Sequence, residues 1–594
     1  MSRQKKSKVQ IEQPPEPVQD SPPKRVWKWP PLLLFLVFFG VYSANPDFSI
    51  LGDIRPSIYQ ALHILNKHEW TFTPASHPFL FQWHSDSRKN DFRIYQWDPA
   101  LKAQYEAGTL KPVKCGYYVV ASSIPGRYVN FFGVGPALML VPVYAVAQLL
   151  VPDLAGNAWL SWFLCKETAA ALVAGSAALI YLAALSLTKR RNALVIAVAY
   201  GLGTCVWSTC SQGMWQQTPN VFFLALGTLL FFRIEKARWL AVPCGVVYAL
   251  AVWCRPTSAV VVVCVGVYLL LRDRRALIAF ALAGLPFAVA LAFYNYHYLG
   301  SPFAFGQDVG GRIIAVSKTG SNAMWQTPLF KGLLGLLVSP SRGLFVYSPF
   351  LLLAIPGMVR IWSAPRYAVL RPLLVAVALV LCVEAKHFDW WAGWSFGYRH
   401  VLDMTVFLSL MLIPVMDTLW ERKLYRGMLA AAVLFSVGVQ VVGITASNGT
   451  SWNNREATKV YKQGREKPII VLNKDRVAAM RWDKDFIRSE VVRLDIDKPE
   501  NRRRLWSLRD SQLVYLVSNY TEARIKRHQL FDNMLKAESR VSSQIMKQLT
   551  EESKEGEDNE DESVIDRQGR APAPNEIRTV RANQDSAPVH AENS

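Results

Sequence analysis

The amino-acid sequence predicts an all-α polytopic membrane protein. Residues 30–447 consist mostly of long apolar runs with short polar breaks, whereas both ends of the chain are polar and charged. These runs lack the amphipathic periodicity by which a soluble helix buries one face. Four charge-free segments lie inside longer apolar blocks, as membrane helices do: Ala169–Leu187, Leu240–Trp253, Val260–Leu271 and Leu373–Val383.

The first apolar run, Pro30–Ala44, is predicted to be a retained membrane anchor. No small-residue cleavage site follows it, so it does not have the pattern of a removed signal peptide. The preceding residues 1–28 are basic and proline-rich. Because cytoplasmic segments carry an excess of Lys and Arg, we predict that these residues form a cytoplasmic tail.

The net charge of +21 is explained by membrane topology and not by a nucleic-acid partner. Much of the positive charge lies in short clusters between apolar runs, which is typical of cytoplasmic loops. With the N-terminus inside, these clusters also lie inside if the run 131–151 does not cross the membrane. The clusters are Lys189–Arg191, Arg233–Arg238, Arg272–Arg275, Arg366–Arg371 and Glu421–Arg426.

Residues 131–155 are therefore predicted to be a juxtamembrane segment on the outer face, where Gly133, Gly135, Pro136 and Pro142 interrupt a regular helix. Counting onward gives about eleven transmembrane helices. They are predicted near 29–45, 159–187, 193–211, 218–232, 239–254, 256–271, 276–296, 344–362, 367–385, 402–419 and 425–446.

This topology divides the chain into a transmembrane domain over 29–447 and an outer-face C-terminal region over 448–550. A long first outer loop spans 45–130. The C-terminal region is basic and mixed, with a helix predicted from about Glu522 to Glu552. The acidic and then Pro/Ala/Asn-rich residues 551–594 have the composition of a disordered tail.

Asp53 is the leading candidate for a catalytic residue. It follows the first apolar run directly, so it is predicted at the membrane–water boundary on the outer face. A carboxylate there is placed to act as a base, or to hold a metal, for a lipid-linked substrate whose phosphate stays at the membrane surface. The alternative is an ordinary loop aspartate that caps the helix beginning near Pro56.

Cationic side chains in the outer loops are candidates for binding phosphate. Arginine binds phosphate through a planar fork and keeps its charge in a partly apolar site, although snorkelling toward lipid headgroups is the alternative for each. Arg399 is favoured because it lies in a loop rich in aromatic residues and glycine. The full set is Arg399, Arg342, Arg255 and Lys114.

Aromatic side chains in the same loops are candidates for contacts with a sugar or an acceptor. The alternative is an interfacial aromatic belt. The set is Trp215, Trp391, Trp394 and Tyr398. The histidines of the first loop have no metal-ligand spacing, so the sequence assigns no metal site.

Several motifs, in their order along residues 30–455, resemble the bacterial GT-C glycosyltransferases, in the broad mannosyltransferase and arabinosyltransferase-like group. Gly52 and Asp53 follow the first helix, as in that family. The other matching segments are Phe132–Tyr144, Trp253–Ser258, Tyr294–Tyr296, Leu299–Pro302, Arg342–Pro349, Trp391–Arg399 and Ser451–Asn453.

The resemblance implies an enzyme of the bacterial inner membrane that transfers a sugar, with inversion, from a polyprenyl-phosphate donor. The acceptor is a glycan, a lipid or a protein, and transfer takes place on the periplasmic face. Asp53 is then the base or the metal contact, with Mg²⁺ or Mn²⁺ as the metal if one is used. The chain departs from the family at Arg55, where members often have a second acid; Asp86, Asp91 and Asp98 are the alternatives for that carboxylate.

Two other functions remain open from the sequence. A ligase or polymerase of lipid-linked glycans also acts outside the membrane, but such proteins usually place their large outer loop late in the chain. A transporter of lipid-linked sugars predicts internal duplication and a polar central cavity, and the sequence contains no visible repeat.

Overall fold

The computed structural model of the protein describes residues 30–45, 47–48, 53–73, 77, 80, 82–84, 92–94, 119–472 and 474–540, which are mostly helical. The predicted tails 1–28 and 551–594 lie outside these residues. The α-helices are Pro30–Ser43, Arg55–Lys67, Gly135–Leu150, Ala158–Leu185, Arg190–Gly203, Cys205–Ser208, Gln217–Phe231, Ala241–Cys254, Ala259–Arg272, Arg274–Leu299, Gly306–Thr319, Leu329–Val338, Leu344–Tyr347, Ile355–Ser363, Arg371–Lys386, Thr405–Leu410, Met416–Glu421, Lys423–Ala446, Lys474–Met480, Gln512–Ser518 and residues 520–540.

Short 3₁₀ segments extend or join several of these helices. Several of them begin with a proline in the first two positions, where its missing N–H group has no intrahelical partner to lose. The segments are Cys210–Gln212, Arg238–Leu240, Pro256–Ser258, Pro349–Ala354, Pro365–Leu370, Arg399–Met404, Ile413–Val415 and Pro499–Trp506.

All eleven predicted spans coincide with apolar helices, but they differ in length. The helices Arg190–Gly203 and Cys205–Gln212 are bent by 42° relative to each other. If they form one membrane span, they are a sixth candidate beside the five long helices named next. In the described part of the chain, five helices are long and apolar enough to cross a membrane: Ala158–Leu185, Arg274–Leu299, Pro365–Lys386, Arg399–Glu421 and Lys423–Ala446. The other five predicted spans fall on shorter apolar helices: Pro30–Ser43, Gln217–Phe231, Arg238–Cys254, Pro256–Arg272 and Pro349–Ser363. The count of eleven spans therefore stays a prediction.

The predicted juxtamembrane segment contains the helix Gly135–Leu150, which is shorter than the five long candidates. It packs against the helix Arg55–Lys67 of the first outer loop, and Gln148 Nε2 donates a hydrogen bond to Asn66 Oδ1 at 2.8 Å. The Tyr144 hydroxyl donates to the Ser161 carbonyl at 2.7 Å. These contacts join the segment to the first outer loop, as expected if both lie on one face.

The mostly helical structure is compatible with the predicted all-α membrane protein, and the described residues add three small antiparallel sheets to it. Two are hairpins, formed by Gln82–His84 with Phe92–Ile94 and by Val119–Ala121 with Tyr128–Asn130. In the C-terminal region, the strand Asn454–Lys462 pairs with Ile469–Val471 on one side and with Phe486–Asp495 on the other. Charged residues are interspersed along Asn454–Lys462 and Phe486–Asp495, and the other strands are three residues long, so no clear two-residue alternation marks them in the sequence.

The predicted outer ends of the helices contact one another, and the predicted inner ends also contact one another. At the outer ends, Asn45 Nδ2 donates to Gln212 Oε1 at 2.8 Å. At the inner ends, Lys189 lies 3.3 Å from Asp417, and the Arg191 guanidinium lies 4.2 Å from the centre of the Trp420 ring. Arg191 lies at the start of the bent helix pair and Gln212 at its end, so these two groups of contacts lie at opposite ends of the bundle.

Candidate active site

The structure brings Asp53, Arg399 and Trp215 together, although Asp53 and Arg399 are 346 residues apart in the chain. Arg399 Nη1 donates a charged hydrogen bond to Asp53 Oδ2. The Arg399 guanidinium also lies 4.8 Å from the centre of the Trp215 ring, within the range of a cation–π contact. The side chains of Arg399 and Asp53 keep 19% and 12% of their exposure, so both are accessible at the edge of the bundle.

The chain reaches this geometry through a loop with unusual backbone angles. Ala392, Gly393 and Gly397 have φ values of 61°, 58° and 61°, in the left-handed region that glycine adopts without steric cost. Position 397 also has no room for a side chain, because a Cβ atom there would lie 2.7 Å from Cys205 Sγ. The loop then turns into the 3₁₀ segment Arg399–Met404, and Arg399 is its first residue.

Arg255 belongs to a separate buried network. Its Nη1 donates to Asp403 at 2.7 Å, and its Nη2 donates to Glu384 and to the His400 carbonyl, each at 2.7 Å. Glu384 also lies 2.7 Å from His400 Nδ1. Two carboxylates thus compensate one buried cation, which is the arrangement that a buried charge requires. The structure does not bring Arg255 into the group around Asp53.

Arg342 is also buried, with all three guanidinium nitrogens donating to oxygen atoms. Nε donates to the Trp391 carbonyl at 2.8 Å, and Nη1 donates to Gln512 Oε1 at 2.6 Å. Nη2 donates to Asn453 Oδ1 at 2.6 Å. Burial lowers the pKa of Arg342 to about 10, so the side chain stays protonated at neutral pH. Arg342 ties the C-terminal region to the outer loops and is 1% exposed.

The remaining predicted site residues that the structure describes are not brought to Asp53 either. Trp391 and Trp394 donate their indole N–H groups to Asp497 and Asp495 of the C-terminal region, at 3.1 and 2.9 Å. Tyr398 is 1% exposed, and its hydroxyl lies 2.6 Å from Ser348 Oγ. It packs inside the bundle and does not join Asp53. Lys114 lies outside the residues that the structure describes.

Sequence reasoning missed the buried acids Glu384 and Asp403. Both lie in or beside apolar segments, where an ionisable side chain is costly and is usually paired. That rule was sufficient to single them out, and it also predicts a nearby cation such as Arg255. The sequence does not show which cation pairs with them, because Arg255 is 129 and 148 residues away.

The C-terminal helix, residues 520–540, was not predicted to reach the first outer loop. Its Glu538 is 1% exposed, forms an ion pair with Arg55 and accepts a hydrogen bond from the Tyr59 hydroxyl at 2.5 Å. Arg55 stands where the family resemblance suggests a second acid. In this chain Glu538 supplies an acid beside that position, and it neutralises Arg55, which is two residues from Asp53.

A divalent metal at Asp53 finds no ligand set in the described part of the chain. No group of three or more His, Cys, Asp and Glu side chains there is arranged to hold a metal ion. Asp86, Asp91 and Asp98, the alternatives for a second carboxylate, lie outside the described residues.

Acidification is expected to destabilise the fold through His387, beside Glu384. Burial, followed by the charge of the neighbouring His400, lowers the pKa of His387 from 6.5 to about 4. Between these values the unfolded chain binds the proton more readily, so stability falls as the pH drops from about 6.5 toward 4. Thermal unfolding of the detergent-solubilised protein across this range measures the effect.

The matched pair His387→Gln and His297→Gln tests the assignment. His387→Gln is expected to flatten the pH dependence, because it removes the titrating group. His297 is exposed, so His297→Gln is expected to keep the wild-type slope. Equal slopes for wild type and His387→Gln would show that another group is responsible.

Neither a protein-family model nor a curated protein matches the chain. The class that fold and site define is therefore a mostly helical protein with five to six candidate membrane spans and a partly accessible Asp–Arg pair beside a tryptophan.

Proposed function

We propose that the protein is a membrane glycosyltransferase of GT-C type, which moves a sugar from a polyprenyl-phosphate donor to an acceptor at the outer face of the bacterial inner membrane. The observation that carries the proposal is the meeting of Asp53, Arg399 and Trp215 at the helix ends predicted to face outward. This group combines a base, a phosphate-binding cation and an aromatic ring suited to a sugar.

Arg399 is the arginine best placed to bind the donor. It donates one side-chain hydrogen bond, to Asp53, and its other N–H groups have no hydrogen-bond partner among the described residues. Arg255 and Arg342 are 3% and 1% exposed, and buried oxygen atoms occupy their guanidinium groups. An incoming phosphate competes only with Asp53 at Arg399, whereas at the other two arginines it would break several buried hydrogen bonds.

The proposed reaction proceeds by inversion in one step. Donor phosphate binds Arg399, which frees the Asp53 carboxylate to accept a proton. The acceptor hydroxyl oxygen attacks the anomeric carbon as Asp53 takes its proton, and the bond from that carbon to the phosphate oxygen breaks. Polyprenyl phosphate leaves with the bonding electron pair, and its negative charge is stabilised by Arg399.

Transfer by purified protein in lipid nanodiscs tests this function. We expect a radiolabelled sugar to be transferred from a polyprenyl-phosphate sugar and not from the corresponding nucleotide sugar. Arg399→Ala is expected to raise the KM for the donor by about 10–100-fold, the effect of losing one hydrogen bond to a charged group. The exposed Arg481 provides the control Arg481→Ala, for which we expect the wild-type KM.

Other outcomes would contradict the proposal. Transfer of whole glycan chains from a lipid diphosphate would identify a ligase or polymerase. Movement of a lipid-linked sugar across the bilayer without transfer would identify a transporter. An unchanged donor KM in Arg399→Ala would remove Arg399 from the donor site.

A further inference from the structure

A cavity of about 70 Å³ lies beside the proposed active site, with Trp215 in its wall. At roughly 10–15 Å³ for each water, that is room for about five waters, on the order of one sugar ring. Its lining comes from five parts of the chain: the residues after the first helix, the second helix of the bent pair with the following Trp215, the loop before Arg399, the end of the helix Lys423–Ala446 with the residues after it, and the C-terminal helix 520–540.

The C-terminal helix closes one side of this cavity. Its Arg527 Nη2 donates to the Asp47 carbonyl at 2.8 Å, and its Phe531 ring lies edge-on to Phe48 at 4.8 Å. Asp47 and Phe48 come directly after the first helix. The two ends of the described chain therefore meet at the cavity.

Three buried hydrogen-bond donors on residues that line the cavity have no hydrogen-bond partner among the described residues: Trp215 Nε1, Ser395 Oγ and Arg527 Nε, the last of which lies 4.0 Å from Asp47 Oδ2. Trp215 and Ser395 are 5% and 6% exposed. Buried polar atoms are normally hydrogen-bonded, and leaving one unpaired costs free energy because its contact with water is lost. Unpaired buried atoms also occur elsewhere in the described residues, for example at Trp162 and Trp420, but these three belong to residues around one cavity, where a bound molecule can supply acceptors.

The chemistry of the wall selects the class of ligand. The N–H groups of Trp215 and Arg527 only donate, and the Ser395 hydroxyl can donate, so the ligand must present acceptor oxygens. The charges of Asp47 and Arg527 cancel, and the Asp47 carboxylate disfavours an anion such as phosphate. Trp215 and Trp394 add indole rings, which suit the C–H faces of a sugar. These features together favour a neutral saccharide.

We infer that this cavity binds one ring of a neutral saccharide. The identification of that saccharide as the acceptor rests on the proposed function. Trp215 connects the two places, because the same indole lines the cavity and contacts the Arg399 guanidinium. A saccharide held here lies next to the Asp53–Arg399 pair. Arg527 makes the C-terminal helix part of the acceptor site.

Direct binding to the full-length protein in nanodiscs tests the inference without relying on transfer. The probes are methyl glycosides of neutral hexoses and pentoses, followed by tryptophan fluorescence and calorimetry. Ser395→Ala is expected to weaken binding by about 3–10-fold, since it removes one hydrogen bond of about 1 kcal/mol. It leaves no protein partner unpaired, because Ser395 Oγ has none.

Ser409→Ala is the matched control. Ser409 Oγ is also buried without a partner, but Ser409 lies in the helix Thr405–Leu410 and does not line the cavity. We expect wild-type glycoside binding in this variant. Equal binding by wild type and Ser395→Ala, absence of binding by every glycoside, or displacement of the bound glycoside by inorganic phosphate would each overturn the inference.

The two proposals fail in different ways. Glycoside binding that depends on Ser395 in a protein that transfers no sugar would overturn the glycosyltransferase function and leave the saccharide site standing. Sugar transfer with the same acceptor KM in wild type and Ser395→Ala would leave the function standing and remove the cavity from the acceptor site.

Discussion

Asp53→Asn is expected to lower the rate of sugar transfer by about 10²–10⁴-fold, the usual contribution of a general base. Asparagine can still accept a hydrogen bond from Arg399, so the local structure is preserved while the group that takes the proton is lost. We expect kcat to fall and the KM for the donor not to rise, because a neutral amide competes less strongly than a carboxylate for Arg399. Single-turnover transfer in nanodiscs measures the chemical step directly.

The control for Asp53→Asn is Asp483→Asn. Asp483 is also an ion-paired aspartate, since it lies 2.6 Å from Lys462 Nζ, but it belongs to the C-terminal sheet region and is 42% exposed. We expect wild-type kcat in this variant. Full transfer activity in Asp53→Asn would rule out the carboxylate as the base, whatever the donor.

Arg255→Met is expected to cause the largest loss of stability. It leaves Asp403 and Glu384 buried, with side-chain exposures of 0% and 5%, and without their cation. Breaking a buried ion pair by removing one partner costs about 3–5 kcal/mol, because the remaining charge is uncompensated. Thermal unfolding in detergent should show a lower midpoint and a smaller yield of monodisperse protein.

Two further variants separate charge from packing at Arg255. The triple variant Arg255→Met, Glu384→Gln, Asp403→Asn removes the charges together, and we expect it to recover part of the lost stability. Arg481→Met, at an exposed arginine, should leave the midpoint unchanged. A midpoint for the triple variant below that of Arg255→Met alone would show that hydrogen bonding, and not charge, dominates the network.

The positions of the helices could be predicted because apolar runs are a local property of the chain. Helix Ala158–Leu185 falls on the predicted span 159–187, and helix Lys423–Ala446 on the span 425–446. The strands of the C-terminal region could not be predicted in this way. The strand Asn454–Lys462 mixes charged and apolar residues, and it is stabilised by partners that lie further along the chain.

The local sequence also could not predict which of the candidate residues meet in the folded protein. Residue type and predicted position were enough to select Asp53 and Arg399 separately, but they favoured Arg399 over Arg342 and Arg255 only because its loop is rich in aromatic residues and glycine. These arginines differ in which oxygen atoms surround them: one accessible carboxylate at Arg399, neutral oxygens at Arg342 and two buried acids at Arg255. Those neighbours come from distant segments, so no local pattern reports them.

By itself, the sequence determined the helical, apolar character of the chain, the approximate places of its helices and the candidate residues at their ends. Each of these depends on composition within a short window. The tertiary structure decided that Asp53 meets Arg399, that Arg255 and Arg342 serve the buried core, and that the C-terminal helix reaches Arg55 and closes the cavity beside Trp215. The physical reason is that charge pairing and burial depend on distance in space, and packing sets that distance between residues hundreds of positions apart.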